Sequence, residues 1–236
     1  MAASRSLRLA DRVARQLRRR EGRNLIAVAV YGSVAQGEER RHSDLDMLLI
    51  RRRPRRLPRT AVRDGVLVTF LQMTPEAARA ELSGANPNLP EALSGWRSIR
   101  ALYDPTGIIG TLRRKAGRPT AAQFRKAARA AFLATYEDYG KLRNALDAGD
   151  HEEAREMAIW FTGGAMAILF CLEGYVPATG RRLFVDVGKK GSIGKAICAL
   201  RYEPLSAEEI GRLAVRVWRG LLHRADVQGV RVNDLA

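Results

Sequence analysis

Two aspartates stand close together inside an apolar segment of a strongly basic chain. Asp44 and Asp46 interrupt the run DLDMLLI, and a Gly-Ser pair, Gly32 and Ser33, follows an earlier apolar run. In a β-strand, residues i and i+2 lie on one face, roughly 6.8 Å apart, so both carboxylates share a face and Leu45 points into the core. Carboxylates this close repel unless a cation lies between them. The spacing therefore predicts a divalent metal site.

The Gly-Ser pair predicts a phosphate site beside that metal. Glycine allows close approach to the backbone, and free N–H groups together with the Ser33 hydroxyl can hold a triphosphate. Mg²⁺ commonly binds through one or two carboxylates and the phosphates of its substrate, and a pair of such ions could serve displacement at phosphorus. A D-x-D pair alone is often a solvated edge strand. The apolar flanks and the Gly-Ser pair favour the catalytic interpretation.

The elements that would position these residues change character near the middle of the chain. The first half mixes apolar strand patterns with amphipathic helices, whereas the second half is helical and rich in alanine. We therefore predict an α+β fold, in which a domain with a mixed sheet flanked by helices (1–116) precedes a C-terminal helical bundle (117–236). The predicted strands are 24–32, 43–51, 65–73 and 98–107, and the predicted helices include 4–20, 74–82, 151–173, 189–201 and 206–225.

Charge and composition restrict the partners of the chain. Its 236 residues include 41 Lys and Arg against 25 Asp and Glu, a formal net charge of +16, which favours nucleotides or nucleic acid as partners. Cys171 and Cys198 lie in apolar surroundings and predict free thiols in a reducing cytoplasm. The apolar stretch 157–172 is too short to span a bilayer and predicts a buried helix, so no membrane partner is expected.

The local pattern around each tryptophan predicts where its side chain lies. Trp160 and Trp218 lie among apolar residues at helical spacing and are predicted to be in the core. Trp96 lies in a loop-like stretch, where it could border a pocket.

The segment GSVAQGEERRHSDLDMLL resembles the signature of the polymerase-beta-type nucleotidyltransferase superfamily, in which h-G-[GS] is followed by a spacer and D-h-[DE]-h. The resemblance implies that Asp44 and Asp46 bind one or two Mg²⁺ ions. It also implies that Gly32, Ser33 and the neighbouring Ser43 bind ATP or another nucleoside triphosphate. The signature identifies the superfamily and leaves the acceptor open.

A second segment, TYEDYGKLRNA at 135–145, is similar to the E-x-x-G-K-x-R-N segment of aminoglycoside nucleotidyltransferases of the kanamycin type. This resemblance implies transfer of a nucleoside monophosphate, AMP from MgATP, to an acceptor hydroxyl with release of pyrophosphate. Glu137 would be the general base and Lys141 would contact phosphate, in a homodimer whose active sites are shared between subunits. From the spacing alone, the favoured interpretation of Glu137 and Lys141 is a surface ion pair four residues apart on a helix.

The chain departs from the family pattern at the third carboxylate, where Leu67 occupies the matching position. Asp64 could substitute for it, two aspartates could suffice with water completing the metal shell, or the protein could bind nucleotide with weak or no catalysis.

The acceptor is also open. An aminoglycoside is a polycation, whereas the basic segment RRRPRRLPR at 51–59 could gather RNA or be a solvated loop. The alternative to a transferase is therefore a nucleotide- or RNA-binding protein on the same scaffold.

Overall fold

The computed structural model describes residues 4–53 and 58–232. The chain divides into two compact units: residues up to 82 together with 92–118, and residues 83–91 together with those from 119 onward. Compactness does not show that either unit folds alone, so the division into domains at residue 116 stays a prediction.

The first unit is built on a five-stranded mixed sheet with the order β3-β4-β2-β1-β5. β1 pairs antiparallel with both β2 and β5, β2 pairs parallel with β4, and β3 pairs antiparallel with β4. The α+β class predicted from the sequence is confirmed. The strands are β1 (Leu25–Tyr31), β2 (Leu45–Arg51), β3 (Thr60–Arg63), β4 (Val66–Met73) and β5 (Arg100–Tyr103).

One face of the sheet is covered by the first helix, α1 (Arg5–Glu21). The side chain of Ser4 caps this helix by accepting a hydrogen bond from the backbone N–H of Leu7 at 3.2 Å. Apolar side chains of α1 pack on the sheet in one buried cluster, which includes Leu45 and Met47 of β2. Because side chains alternate along a strand, Asp46 belongs to the opposite face.

Two short helices pack on strands of the same sheet. α5 (Ile108–Ala116) packs against β1, and α3 (Pro75–Ala80) packs against β2 and β4. A five-residue helix, α2 (Gly32–Gln36), follows β1 directly. Another helix, α4 (Leu89–Ser98), carries Trp96, which is 5% exposed. The prediction of a loop position for Trp96 was wrong, because its indole is buried in a helix.

The second unit is helical, as predicted for this part of the chain. The helices α6 and α7 pack against each other, and Trp218 of α10 stacks on Tyr139 of α6 with ring centroids 4.8 Å apart. Trp160, by contrast, is 61% exposed, so its predicted core position was wrong. The helices are α6 (Ala121–Asp147), α7 (His151–Leu172), α8 (Leu183–Gly188), α9 (Gly191–Tyr202) and α10 (Ala207–Val227).

Within the part of the chain that the structure describes, α7 is the one helix long and apolar enough to cross a bilayer. It is longer than the apolar stretch 157–172 on which the sequence prediction rested. Its apolar window is 61% buried within the protein, and it packs against α6, α9 and α10. This is the packing of a core helix.

The basic segment 51–59 is only partly described, since residues 54–57 lie outside the described residues. Its first residue, Arg51, is not in a loop. Arg51 ends β2, is 1% exposed, and forms an ion pair with Glu21 at the end of α1, with a distance of 3.3 Å from Nη2 to Oε1. Sequence reasoning also missed strand β3, which follows this segment and is only four residues long.

Candidate active site in the first unit

The turn between β1 and the following helix is made possible by glycine. Gly32 begins α2 with φ +68°, and Gly37 ends it with φ +73°. Residues with a Cβ rarely adopt such angles. Because α2 has five residues and a glycine at each end, the chain changes direction within a short segment. The loop that follows leads into β2.

Gly32 lies directly against the carboxylate of Asp46. A Cβ atom at position 32 would lie 2.5 Å from Asp46 Oδ2, a distance at which one of the two groups must move. The strand register explains this approach, because Tyr31, the residue before Gly32, pairs with Asp46 across β1 and β2. The side chain of Asp46 therefore lies beside the start of α2.

Asp44 immediately precedes β2, which begins at Leu45 and not at residue 43 as predicted. Burial, and then the charge of Asp44, raise the pKa of Asp46 to about 6. Burial, and then the charges of Asp46 and Asp44, raise the pKa of the Tyr31 hydroxyl to about 12. The two carboxylates and the phenol thus form one electrostatic group at the start of β2, in which the carboxylates repel each other.

Neither aspartate is neutralised by a basic side chain. Among residues 4–53 and 58–232, no salt bridge or hydrogen bond joins the side chain of Asp44 or Asp46 to another group, although the chain carries a net charge of +16. Two neighbouring carboxylates without cationic partners are a donor set that suits a hard divalent cation such as Mg²⁺. The residues present therefore fit the metal that the sequence predicted.

The strand beside Asp46 supplies no further carboxylate. Thr69 of β4 lies directly across from Asp46 in the parallel pair, and Leu67 and Leu71 lie on the same face as Thr69 because they are two residues away along the strand. Leu67 is 45% exposed and Leu71 is 40% exposed. No group of three His, Cys, Asp or Glu side chains that could hold a metal occurs in the described part of the chain.

Comparison with known proteins shows what this region is similar to. Residues 10–84 match the nucleotidyltransferase domain. The matched segment includes Gly32, Ser33, Asp44 and Asp46, and it covers roughly a third of the chain. No curated protein matches the sequence.

Among solved structures, the chain is similar to a nucleotidyltransferase-like protein from Exiguobacterium sibiricum 255-15. The two are 13% identical, with a TM-score of 0.61, and the match covers 93% of this chain and 76% of the other. This likeness concerns the fold alone.

Asp64, which the sequence suggested as a replacement for the missing third carboxylate, is engaged elsewhere. It lies with Gly65 in the two-residue turn between β3 and β4, where both φ angles are positive. Its carboxylate forms an ion pair with Arg12 of α1, and its carbonyl accepts a hydrogen bond from Arg5 at 2.9 Å. Since α1 covers the sheet face opposite to Asp46, the structure does not favour this substitution.

The two serines that were predicted to bind nucleotide differ in their local bonding. Ser33 is half-buried in α2, and its hydroxyl forms no hydrogen bond within the described residues. The Ser43 hydroxyl accepts a hydrogen bond from the backbone N–H of Arg40 at 2.8 Å. Ser43 therefore shapes the loop that leads to Asp44. Nucleotide binding by Gly32, Ser33 and Ser43 stays a prediction.

Glu137 and Lys141 lie in α6, in the second unit. Their side chains form an ion pair with a distance of 2.7 Å from Nζ to Oε1, and they are 73% and 53% exposed, respectively. The hydrogen bond from Lys141, and then its charge, lower the pKa of Glu137. In this structure the two residues therefore form the surface pair that their spacing predicts, and their catalytic roles stay predictions.

Sequence reasoning missed Tyr31 and Thr69, which flank Asp46 on β1 and β4. Tyr31 is adjacent to Gly32, and this adjacency was the one available signal. The sequence around Thr69 contains no such signal, because its position opposite Asp46 depends on the register of two strands that are distant in sequence.

Proposed function

We propose that the protein is a nucleotidyltransferase that moves a nucleoside monophosphate, AMP from ATP, to an acceptor hydroxyl and releases pyrophosphate. One observation carries the proposal. Gly32 lets the chain turn directly against the Asp46 carboxylate, next to Asp44, and neither aspartate has a cationic partner within the described residues. The match of residues 10–84 to the nucleotidyltransferase domain supports nucleotidyl transfer in general.

Asp44 and Asp46 would hold one or two Mg²⁺ ions, which, when bound, supply charge neutralisation and in-line orientation of the triphosphate. Side-chain and backbone groups of the protein would make the other contacts with the triphosphate. The Ser33 hydroxyl would donate to a phosphate oxygen, and Gly32 would let that phosphate approach the backbone. Ser43 would act beside them by holding the loop before Asp44.

Glu137 would accept the proton of the acceptor hydroxyl as it attacks the α-phosphorus. Its lowered pKa keeps it ionised at neutral pH, as a proton acceptor must be. The same ion pair weakens it as a base, so Lys141 would have to leave Glu137 and contact phosphate in the reacting complex. These roles rest on the similarity of residues 135–145 to aminoglycoside nucleotidyltransferases. That similarity also supports a homodimer in which Glu137 serves the nucleotide of the partner subunit.

The acceptor would be an aminoglycoside-like small molecule or RNA. The first follows from the similarity around Glu137, and the second from the net charge of +16. Both would be met in the cytoplasm, a location that agrees with the two free cysteines, Cys171 and Cys198.

A second candidate function is nucleotide or RNA binding with weak or no catalysis. The observation that favours it is the face of β4 beside Asp46, where Leu67, Thr69 and Leu71 provide no third carboxylate. A site with two carboxylates can bind a metal nucleotide through its phosphates and still position the reacting groups poorly.

The first experiment is calorimetry of nucleotide binding, with MgATP compared with the other nucleoside triphosphates. The wild type should bind one triphosphate in a Mg²⁺-dependent manner, and the double variant Asp44→Asn/Asp46→Asn should lose this binding because its side chains carry no charge. Binding that is indifferent to the double substitution would refute the site assignment.

A second experiment separates transfer from binding. With ATP labelled at the α-phosphate, transfer to a panel of aminoglycosides and to tRNA is measured for the wild type and for Glu137→Gln. Glu137→Gln should bind MgATP normally and lose transfer. A suitable control is Glu208→Gln, because Glu208 also belongs to an exposed ion pair four residues apart, with Arg212. Nucleotide binding without transfer to either class by the wild type would favour the second candidate function.

Mixing the two inactive variants tests the shared site. If Glu137 serves the nucleotide of the partner, hybrids of Glu137→Gln with Asp44→Asn/Asp46→Asn contain one intact site. Random reassortment of a two-fold dimer then restores about a quarter of the wild-type activity. No recovery, despite demonstrated subunit exchange, would place both groups on the same subunit.

A further inference from the structure

A cavity lies in the first unit, at the end of the sheet away from the aspartates. Its volume is about 310 Å³, and its lining includes Ile26 near the start of β1 and Arg52 just after β2. Tyr31, beside Asp46, lies five residues further along β1 than Ile26, which corresponds to about 17 Å along a strand. The cavity is therefore separate from the candidate active site.

The cavity is bordered by guanidinium groups. Arg52 donates from Nε to the carbonyl of Arg23 at 3.1 Å, which fixes its guanidinium while its terminal nitrogens make no bond within the described residues. Arg79, a second lining residue, pairs with Glu76 at 3.7 Å, but both side chains are more than half exposed. Such a pair is weak and exchanges readily with a ligand.

Hydroxyl groups lie beside these arginines. Thr111 belongs to the lining, and its hydroxyl donates to the carbonyl of Gly107 at 2.9 Å and accepts from Arg114 at 3.3 Å. Thr106, also in the lining, has a hydroxyl without a hydrogen bond in the described part of the chain. Guanidinium and hydroxyl donors around one cavity are the groups that bind phosphate.

Two acidic side chains lie near the cavity. Glu76 is the partner of Arg79, as described above. Asp104 accepts hydrogen bonds through Oδ2 from the backbone N–H groups of Ile109 and Gly110 at 3.0 and 3.3 Å. Its Oδ1 is buried and accepts no hydrogen bond within the described residues. Among the described lining residues, Arg52 and Arg79 carry charge and no carboxylate is present, so the lining itself is positive.

We propose that this cavity binds a small phosphate ester, with Arg52 and Arg79 pairing with its phosphate and Thr106 donating a hydrogen bond. Apolar side chains in the lining, among them Ile26 and Leu112, contact the organic part of the ligand. The cavity has the size of small-molecule sites. A small ester fits better than an RNA strand, because none of the described lining residues is an aromatic on which a base could stack.

The test uses the full-length protein in EDTA, where the metal-dependent nucleotide site does not contribute. Inorganic phosphate, ribose 5-phosphate and a 12-residue oligo(U) are titrated by calorimetry, and amide shifts are followed by NMR. Ribose 5-phosphate should bind more tightly than phosphate and shift the amides of Ile26, Thr106 and Thr111, while those of Gly32 and Ser33 stay unchanged.

Arg52→Gln/Arg79→Gln should weaken ribose 5-phosphate binding by at least roughly tenfold, since each lost guanidinium removes charge-assisted hydrogen bonds. The matched control is Arg15→Gln/Arg19→Gln, which removes the same charge from exposed positions on α1. The control and Asp44→Asn/Asp46→Asn should bind as the wild type does. Loss of MgATP binding in Asp44→Asn/Asp46→Asn with retained ribose 5-phosphate binding would keep the two sites distinct.

The proposal would be overturned if the wild type, Arg52→Gln/Arg79→Gln and the control Arg15→Gln/Arg19→Gln all bound inorganic phosphate equally. Such binding would reflect net charge alone. Salt-sensitive binding of oligo(U) without binding of ribose 5-phosphate would also overturn it, in favour of an RNA surface. If the double variant does not fold, Arg79→Gln alone decides, because the only ion pair of Arg79 among the described residues is the weak one with Glu76.

Discussion

The α-carbon of Gly32 faces the carboxylate of Asp46 so closely that a side chain on residue 32 would lie 2.5 Å from Oδ2. The backbone turn and the metal-binding carboxylate proposed above are therefore one structural unit, and a change in either affects the other.

Gly32→Ala should abolish Mg²⁺-dependent nucleotide binding, because the added methyl group displaces the Asp46 carboxylate. Because alanine is strained at this positive φ angle, the substitution also lowers the free energy of unfolding by about 1–2 kcal/mol. Calorimetry of MgATP binding and thermal unfolding measure the two effects separately.

Gly37→Ala is the control for this substitution. Gly37 has a similar positive φ angle, and a Cβ there would meet no atom within 4 Å. The control should lose similar stability and keep nucleotide binding. Equal loss of binding in both variants would show that backbone strain, and not contact with Asp46, is responsible.

Leu67→Asp should raise the affinity for Mg²⁺ several-fold. Leu67 lies on the same face of β4 as Thr69, the residue opposite Asp46, so an aspartate there adds a third carboxylate to that face. Because Leu67 is 45% exposed, the charge is tolerated without a large loss of stability. The measurement is Mg²⁺ titration followed by NMR of the Asp46 region.

Leu71→Asp provides the comparison. Leu71 is 40% exposed and lies on the same face of β4, but it follows Thr69 along the strand, whereas Leu67 precedes it. Its Mg²⁺ affinity should equal that of the wild type. An equal gain in both variants would indicate a general effect of negative charge, and no gain in Leu67→Asp would mean that this position does not reach the ion.

Glu21→Ala should lower the stability of the first unit by about 3–5 kcal/mol, because it leaves the Arg51 charge buried without its carboxylate. Both side chains of the pair are 1% exposed. Native-state hydrogen exchange at the amides of Leu49 and Ile50 reports this local loss.

The surface pair between Arg12 and Asp64 offers the contrast, since those side chains are 49% and 58% exposed. Arg12→Ala should cost less than about 1 kcal/mol. A similarly small cost for Glu21→Ala would mean that the loss of its partner leaves Arg51 in contact with water.

Gly164→Ala should destabilise the helical unit by about 1–3 kcal/mol, because its methyl group would overlap the side chain of Thr135 on α6. Gly163→Ala, one residue earlier in α7, meets no atom within 4 Å. It should stabilise the unit by up to about 1 kcal/mol, through the higher helix propensity of alanine. Calorimetric unfolding of the two variants should give shifts of opposite sign, and shifts of the same sign would contradict the packing of α6 on α7.

Local patterns in the sequence were sufficient to predict the strands with long apolar runs and the helices with clear periodicity. β1, β2 and β4 were predicted from apolar runs, and the long helices from their periodicity. In the candidate site, the face shared by Leu45 and Met47 followed from alternation alone.

The predictions that were wrong concern residues whose environment depends on tertiary contacts. Arg51 looked like part of a solvated basic loop, and only its contact with Glu21 makes burial favourable. Trp160 and Trp96 were misplaced because burial of an aromatic side chain depends on which helix face finds a neighbour. The position of Thr69 beside Asp46 required the register between β2 and β4, which no local signal contains.

Both edges of the sheet are short. The outermost strands are β3 and β5, each of four residues, and Arg63 and Arg100 lie at their ends. A short, charged edge offers few unpaired backbone groups to another chain, so copies of this protein are poor templates for strand addition and for aggregation through the sheet. Stable self-association would then have to use surfaces other than the sheet edges.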